Sequence, residues 1–434
     1  MKYGQLDLWI YDDRCRDGRH DFDSLDFEPP YEFLEKDFSY SERKKIKLVL
    51  YGGLKMWEAI GNGLYGLVAG SLNMHWSNPV MIVVGMILLY LGIKKDIEPV
   101  LLVPIGFGCI LVNIPLAGLM EEGGFLRIIY DAGIITELFP LFIFIGIGAM
   151  TDFGPLLENP KIFLLGAAGQ FGIFLTLALA LALGFTKLEA VSIGIIGACD
   201  GPTAIYVTSQ YAPHLLGAVS VAAYCYMSLV PIIQPPIMKA LTTKEEKVIN
   251  MGTVKKSTSK TTRLLFPLIV TILGGLIAPK GLPLLGTIML GNFMKESGVV
   301  ARLTKASENE IANIVTLLLG ISIGATMDGK VFLTPQTLII LGLGFLAICL
   351  DTACGILFGK MLKVVTRGKV NPLIGAAGIS AYPMSARVVQ KEGQKYDKKN
   401  FLLMHAMGAN TGGQVGSVMA AAVMLSVLKG MGII

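Results

Sequence analysis

The sequence predicts an all-α polytopic membrane protein, and three observations carry that prediction. The 434-residue chain is 53% hydrophobic and 16% charged, with a mean hydropathy of +0.62. Soluble domains carry about a quarter charged residues. The apolar residues come in long runs without formal charge, among them 264–279, 311–327, 331–350 and 401–428. A bilayer core takes about 20 mostly apolar residues per helix, and roughly ten or eleven such segments follow residue 76. The third observation is the 51 glycines. Small residues let transmembrane helices approach closely, and many of these glycines sit beside proline or polar residues, which predicts broken helices.

Taken in order, residues 1–46 are acidic and aromatic with a Pro29-Pro30 break. They lack the basic and apolar regions of a secretory signal, so they read as a polar extension. Residues 47–76 are apolar but interrupted by Lys55 and Glu58, which suits an amphipathic segment at the interface. Residues 77–238 form a first membrane half. Residues 239–263 are a polar linker with seven Lys/Arg against two Glu, and the positive-inside rule puts it in the cytoplasm. Residues 264–434 form a second membrane half. The net charge of +5 belongs to basic loops of this kind and gives no sign of nucleic-acid binding. The six cysteines show no CxxC or Cys/His spacing and read as small buried hydrophobes.

The halves resemble each other. Gly148-Ala-Met-Thr-Asp152 returns as Gly324-Ala-Thr-Met-Asp328, 176 residues later. Gly197-Ala-Cys-Asp-Gly-Pro202 returns as Gly378-Ile-Ser-Ala-Tyr-Pro383, 181 residues later. Internal symmetry of this kind marks many transporter folds, whose ion sites lie at discontinuous helices where repeats meet.

Three stretches are polar at membrane depth. The first holds Asp200, Gly201, Pro202 and Thr203; Asp200 is the only formally charged residue between Glu189 and Lys239. The second, NPLIGAAGISAYPMSARV, holds Asn371, Ser380, Ser385 and Arg387. The third, HAMGANTGGQVGS, holds His405, Asn410, Thr411, Gln414 and Ser417. A charge at the bilayer centre costs at least about 2.5–3.5 kcal/mol, so such groups face a cavity, an ion or a partner. Pro202 and Pro383 each free a carbonyl one turn back. Carboxylate, amide, hydroxyl and carbonyl oxygens together suit a hard cation. Asp200 reads as an ion or proton site, or else as a cap on the broken helix. Arg387 suits a carboxylate or snorkels to the cytoplasm. Tyr226 lends its hydroxyl to the site or only packs. Asp351, between charge-free runs, and His405 are secondary candidates for which a structural role weighs at least as much.

The motifs GIGAMTDFGPLLENP, GIIGACDGPTAIY, AAYCYMSLVPIIQPPIMKALTT, NPLIGAAGISAYPMSARV and FLLMHAMG follow one another between residues 146 and 408, within a resemblance that covers about 77–428. In them the chain resembles the β subunit of sodium-pumping, biotin-dependent decarboxylases. The resemblance implies two inverted repeats in a multi-pass protein of the cytoplasmic membrane, often with the β subunit as a homo-oligomer. It implies decarboxylation of carboxybiotin, sodium export and proton consumption. The implied partners are a biotin carrier, a carboxyltransferase and a small membrane subunit. It carries the central exchanging carboxylate onto Asp200, further sodium-site roles onto Asn371, Ser380 and Asn410, a catalytic role onto Tyr226, and the carboxybiotin ligand onto Arg387. The short segment between Leu119 and Ile135, and Ala409 before Asn410, look more like the glutaconyl-CoA or methylmalonyl-CoA branch than the oxaloacetate type. A sodium-coupled organic-anion transporter is the alternative that composition and repeats leave open.

Overall fold

The computed structural model describes residues 68–95, 99–252 and 258–430, with scattered positions between 53 and 65. The extension at 1–46 lies outside the described residues. The chain divides into two units, Met1–Ala69 and Gly70–Ile434. In the first, the described positions are helical, and Met56, Trp57, Ile60 and Tyr65 expose apolar surface.

The second unit is helical, with no strand among the described residues, and its element order repeats. The first half opens with α1 (Ser77–Lys95) and α2 (Pro99–Val112). Helix α3 (Phe125–Tyr130) runs into a π turn (Asp131–Ile135), then α4 (Leu138–Met150) and the short α5 (Gly154–Glu158). Next come α6 (Phe163–Ala168) and α7 (Phe171–Ala182). Helix α8 (Lys187–Gly194), a 3-10 turn (Ile195–Ala198) and α9 (Gly201–Tyr211) make a broken helix before α10 (Leu216–Leu241). After α11 (Lys244–Lys247), the second half repeats this order. It has α12 (Lys260–Ile277), α13 (Leu282–Ser297), α14 (Ala301–Ala306) with a π turn (Ser307–Ile311), and α15 (Ala312–Ala325). Then follow α16 (Gly329–Phe332), the unbroken α17 (Pro335–Val365), a 3-10 segment (Pro372–Gly378) breaking before α18 (Met384–Gln394), and α19 (Leu403–Gly430). Both π turns sit at the same place in their halves.

The halves interlock. Gly108 of α2 lies against Ile321 and Gly324 of α15, while Gly148 of α4 and Gly291 of α13 lie against each other's helices. Asn113 donates to the Met327 carbonyl at 2.8 Å, and Asn292 donates to that of Thr151 at 3.1 Å. Each is an amide from one half closing a carbonyl at a helix end of the other, and the Thr151 carbonyl also accepts Lys295 Nζ at 3.2 Å.

Six helices are long and apolar enough to cross a membrane, or seven if the bent pair Phe125–Ile135 and Leu138–Met150 counts as one span. The expected ten or eleven full-length segments are therefore not confirmed. Several of the apolar runs divide into shorter pieces, such as α2, with 14 residues, and α4, with 13. The linker is also shorter than 239–263: α10 runs on to Leu241 and α12 begins at Lys260.

Candidate functional site

The site forms where the two broken helices meet α19. In the first half, Cys199 takes a left-handed conformation (φ 53°, ψ 40°) and ends the 3-10 turn. Asp200 is then extended and caps α9, whose first turn carries Pro202, where no backbone donor is needed. Asp200 is only 6% exposed. Its Oδ1 accepts the Thr203 N–H at 3.4 Å. Its Oδ2 accepts the hydroxyls of Thr203 at 2.7 Å and Ser417 at 2.8 Å. The positive end of α9 helps offset the loss of water. Oδ1, with one long hydrogen bond, is the less occupied edge of the carboxylate.

Ser417 has a second acceptor in reach, the Gln414 carbonyl at 2.9 Å. A hydroxyl holds one proton and can also accept. It can donate to an ionised Asp200, or turn to Gln414 and accept from a protonated one. Either state fits without moving a heavy atom.

The carbonyl one turn before Pro202 is that of Ala198, and it accepts the N–H of Ser380 at 3.1 Å. The carbonyl one turn before Pro383 is that of Ile379, and it accepts Asn410 Nδ2 at 2.6 Å. Both carbonyls one turn before a proline are thus taken up by donors from other elements. In the second break the preceding carbonyls are also held by side chains. Ala376 accepts from Gln234 and Ser385, Ala377 from Asn410 and Gly378 from Gln170. Ser380 donates to the Gly413 carbonyl of α19 at 2.9 Å. The backbones cross so closely here that a Cβ on Gly169, Gly378 or Gly413 would overlap a neighbouring main chain.

Several buried oxygens in this unit have no hydrogen-bond partner: Asn410 Oδ1, Gln170 Oε1, Thr411 Oγ1 and the Tyr224 hydroxyl. Buried polar atoms are normally paired. Among the described residues no group of three His, Cys, Asp or Glu side chains could hold a metal ion. Asp351 Oδ2 is likewise without a donor, and buried oxygens of this kind, in the unit that also carries the Asp200 carboxylate, fit a hard monovalent cation such as sodium.

Asp200, Thr203, Ser380, Asn410 and Ser417 are therefore linked through the two breaks and α19. Asn371 is held elsewhere. Its Nδ2 donates to the carbonyls of Lys247 (3.2 Å) and Ile249 (2.9 Å), and its Oδ1 accepts the Leu373 N–H at 3.0 Å. Asn400 donates to the same two carbonyls. His405 also faces the linker, its Nε2 lying 3.1 Å from the Gly252 carbonyl. Glu246 ties the linker to Lys360 and Lys363 at 3.4 and 3.0 Å. Burial pushes the Glu246 carboxyl up, but the Thr243 N–H and the two lysines outweigh it and hold it below its usual value.

The Tyr226 hydroxyl donates to the Leu341 carbonyl at 2.7 Å, and it is the buried Tyr224 whose ring covers Gly201. Asp351 lies in the middle of α17, not at a helix end, and its Oδ1 accepts the Gly172 N–H at 2.5 Å. It closes the backbone at the start of α7. Arg387 is exposed on α18 and takes part in none of the ion pairs among the described residues. Gln170 and Tyr224 escaped the sequence reading. Gln170 had a signal, a lone amide beside Gly169 between two apolar helices. Tyr224 had none, since an apolar helix packs a tyrosine anywhere.

Residues 77–428 match the family model described as the Na+-transporting oxaloacetate decarboxylase beta subunit. The glutaconyl-CoA decarboxylase subunit beta of Acidaminococcus fermentans is 51% identical, over 83% of this chain and 96% of its own length. The methylmalonyl-CoA decarboxylase subunit beta of Veillonella parvula is 51% identical with the same shares. The oxaloacetate decarboxylase beta chain of Klebsiella pneumoniae is 46% identical, over 83% of this chain and 98% of its own.

Proposed function

The chain belongs to the family of Na+-transporting decarboxylase β subunits, and from that premise we propose that Asp200 couples carboxybiotin decarboxylation to sodium export. A biotin carrier delivers carboxybiotin from the cytoplasmic side. Cleaving its N–CO2 bond releases CO2 and leaves a ureido nitrogen that takes up a proton. That proton comes by way of Asp200. Ionised, Asp200 holds sodium with Ser380 and Asn410; protonated, it lets sodium go.

The observation that carries this reading is a buried carboxylate capping a broken helix, with a hydroxyl beside it that can donate or accept. A positive partner at Asp200 would argue instead for a structural ion pair, and none of the ion pairs among the described residues includes it. Arg387, exposed and without an ion pair, is the proposed ligand for the carboxybiotin carboxylate. Asn371 and His405 act through the linker, and Tyr226 acts by holding α10 against α17. The halves are read as inverted repeats in the cytoplasmic membrane, within a complex that adds a carboxyltransferase and a small membrane subunit. A homo-oligomer of this subunit is part of the same reading.

An acyl-CoA is the favoured substrate of the complex. The alignment with the Klebsiella oxaloacetate chain runs over 423 residues and that with the Acidaminococcus glutaconyl-CoA subunit over 362, yet both take in 83% of this chain. The oxaloacetate alignment thus carries additional length that this chain lacks. The organic-anion transporter reading has no such support, since the relatives named above are decarboxylase subunits.

The test is Asp200→Asn in the intact complex, assayed for sodium-stimulated decarboxylation of free carboxybiotin. Loss of at least about 100-fold, or about 2.7 kcal/mol in the barrier, is expected. Activity within a few fold of wild type removes Asp200 from the mechanism.

A further inference from the structure

We infer that Gln170 is a direct ligand of the translocated cation, an inference that rests on the sodium-transport reading above. Gln170 sits in the gap between α6 and α7 and is 3% exposed. Its Nε2 lies among three carbonyls from three elements: Gly166 at 3.3 Å, Gly378 at 3.1 Å and Gly413 at 3.2 Å. Three acceptors around one end of an amide fix which end is nitrogen. The other end is therefore Oε1, and it has no donor.

Asn410 repeats this arrangement. Its Nδ2 faces the carbonyls of Ala377 and Ile379, and its Oδ1 is likewise without a donor. The two amides thus hold three successive carbonyls, 377 to 379, at the place where the second break crosses α19. Each uses its nitrogen to hold the broken backbone and leaves its oxygen for something that brings no lone pair. A cation meets that requirement, and a neutral amide oxygen is a natural ligand for a monovalent one.

The protein also maintains the gap that admits Gln170. Asp351 accepts the Gly172 N–H, which closes the first turn of α7 by a side chain from α17. No matching gap exists in the second half, where α17 is continuous from Pro335 to Val365. Asp351 is then a positioning residue, and Gln170 is the group it positions.

The test compares Gln170→Met, Gln170→Asn and Asp200→Asn in the intact complex. Met keeps length and loses both amide ends; Asn keeps the amide and withdraws it by one methylene. Three quantities are read: the sodium concentration for half-maximal decarboxylation, the sodium-to-lithium activity ratio, and the thermal midpoint without sodium. The expected result is a tenfold or greater rise in half-saturating sodium for Gln170→Met and a changed sodium-to-lithium ratio for Gln170→Asn. A purely structural cross-tie would lower the thermal midpoint of both variants and leave sodium titration and ion ratio within twofold of wild type, which overturns the inference. Where Gln170→Met fails to fold, the ion ratio of Gln170→Asn decides alone. Where Asp200→Asn retains sodium-stimulated turnover, the underlying functional reading falls. Where only the Gln170 variants titrate normally, the inference alone falls.

Discussion

The two helix breaks occupy corresponding places in the two halves and resolve the same problem with different chemistry. In the first, one carboxylate caps the outgoing helix and is itself held by two hydroxyls, Thr203 and Ser417. In the second, no charge is present. Four successive carbonyls, 376 to 379, are held by amides and a hydroxyl from Gln234, Ser385, Asn410 and Gln170. One break supplies a group that can change its charge, and the other supplies neutral oxygens whose charge never changes. They are joined directly, by the Ser380 N–H on the Ala198 carbonyl. Under the proposed function the two breaks contribute unequally to one site: the first brings the carboxylate that exchanges proton for sodium, and the second brings neutral oxygens.

The sharpest way to break this comparison is to exchange the two residues, as Asp200→Ser with Ser380→Asp. The charge stays within the site but loses the helix N-terminus of α9 and the Thr203 and Ser417 hydroxyls. Sodium-stimulated decarboxylation is expected to fall at least about 100-fold, or about 2.7 kcal/mol. Recovery above a tenth of wild-type activity would show that the breaks are interchangeable. A much smaller effect is expected of Tyr226→Phe. It removes one hydrogen bond, to Leu341, at a cost of about 0.5–1.5 kcal/mol in stability. Thermal melting checks that figure. Half-saturating sodium should stay unchanged; a large rise would return Tyr226 to the ion site.

Much of this was legible in the residues. Asp-Gly-Pro is an N-cap followed by a proline at the helix start, and it forms that structure at Asp200. The paired Gly-Ala motifs marked the repeat because close helix crossings need glycine, and Gly148 and Gly324 both lie at such crossings. What the sequence could not convey was which polar residues of a stretch face which way. Asn371 and Ser380 are nine positions apart in one motif, yet the first turns to the linker and the second to α19. A 3-10 segment separates them, and helical periodicity does not carry across it. Tyr224 and Tyr226, two positions apart on α10, point to different neighbours for the ordinary helical reason. Asp351 stood out only as a charge between charge-free runs, and nothing in the sequence showed what it pairs with. Its compensation comes from the backbone of α7, far away in sequence.

The central claim is that chemistry and sodium movement pass through one carboxylate. It is tested most directly by sodium uptake into inverted membrane vesicles energised by carboxybiotin, with wild type and Asp200→Asn at matched amounts of folded protein. The account predicts uptake with the wild type, and for Asp200→Asn neither uptake nor sodium-stimulated decarboxylation. An Asp200→Asn protein that still accumulates sodium at a rate near wild type would contradict it.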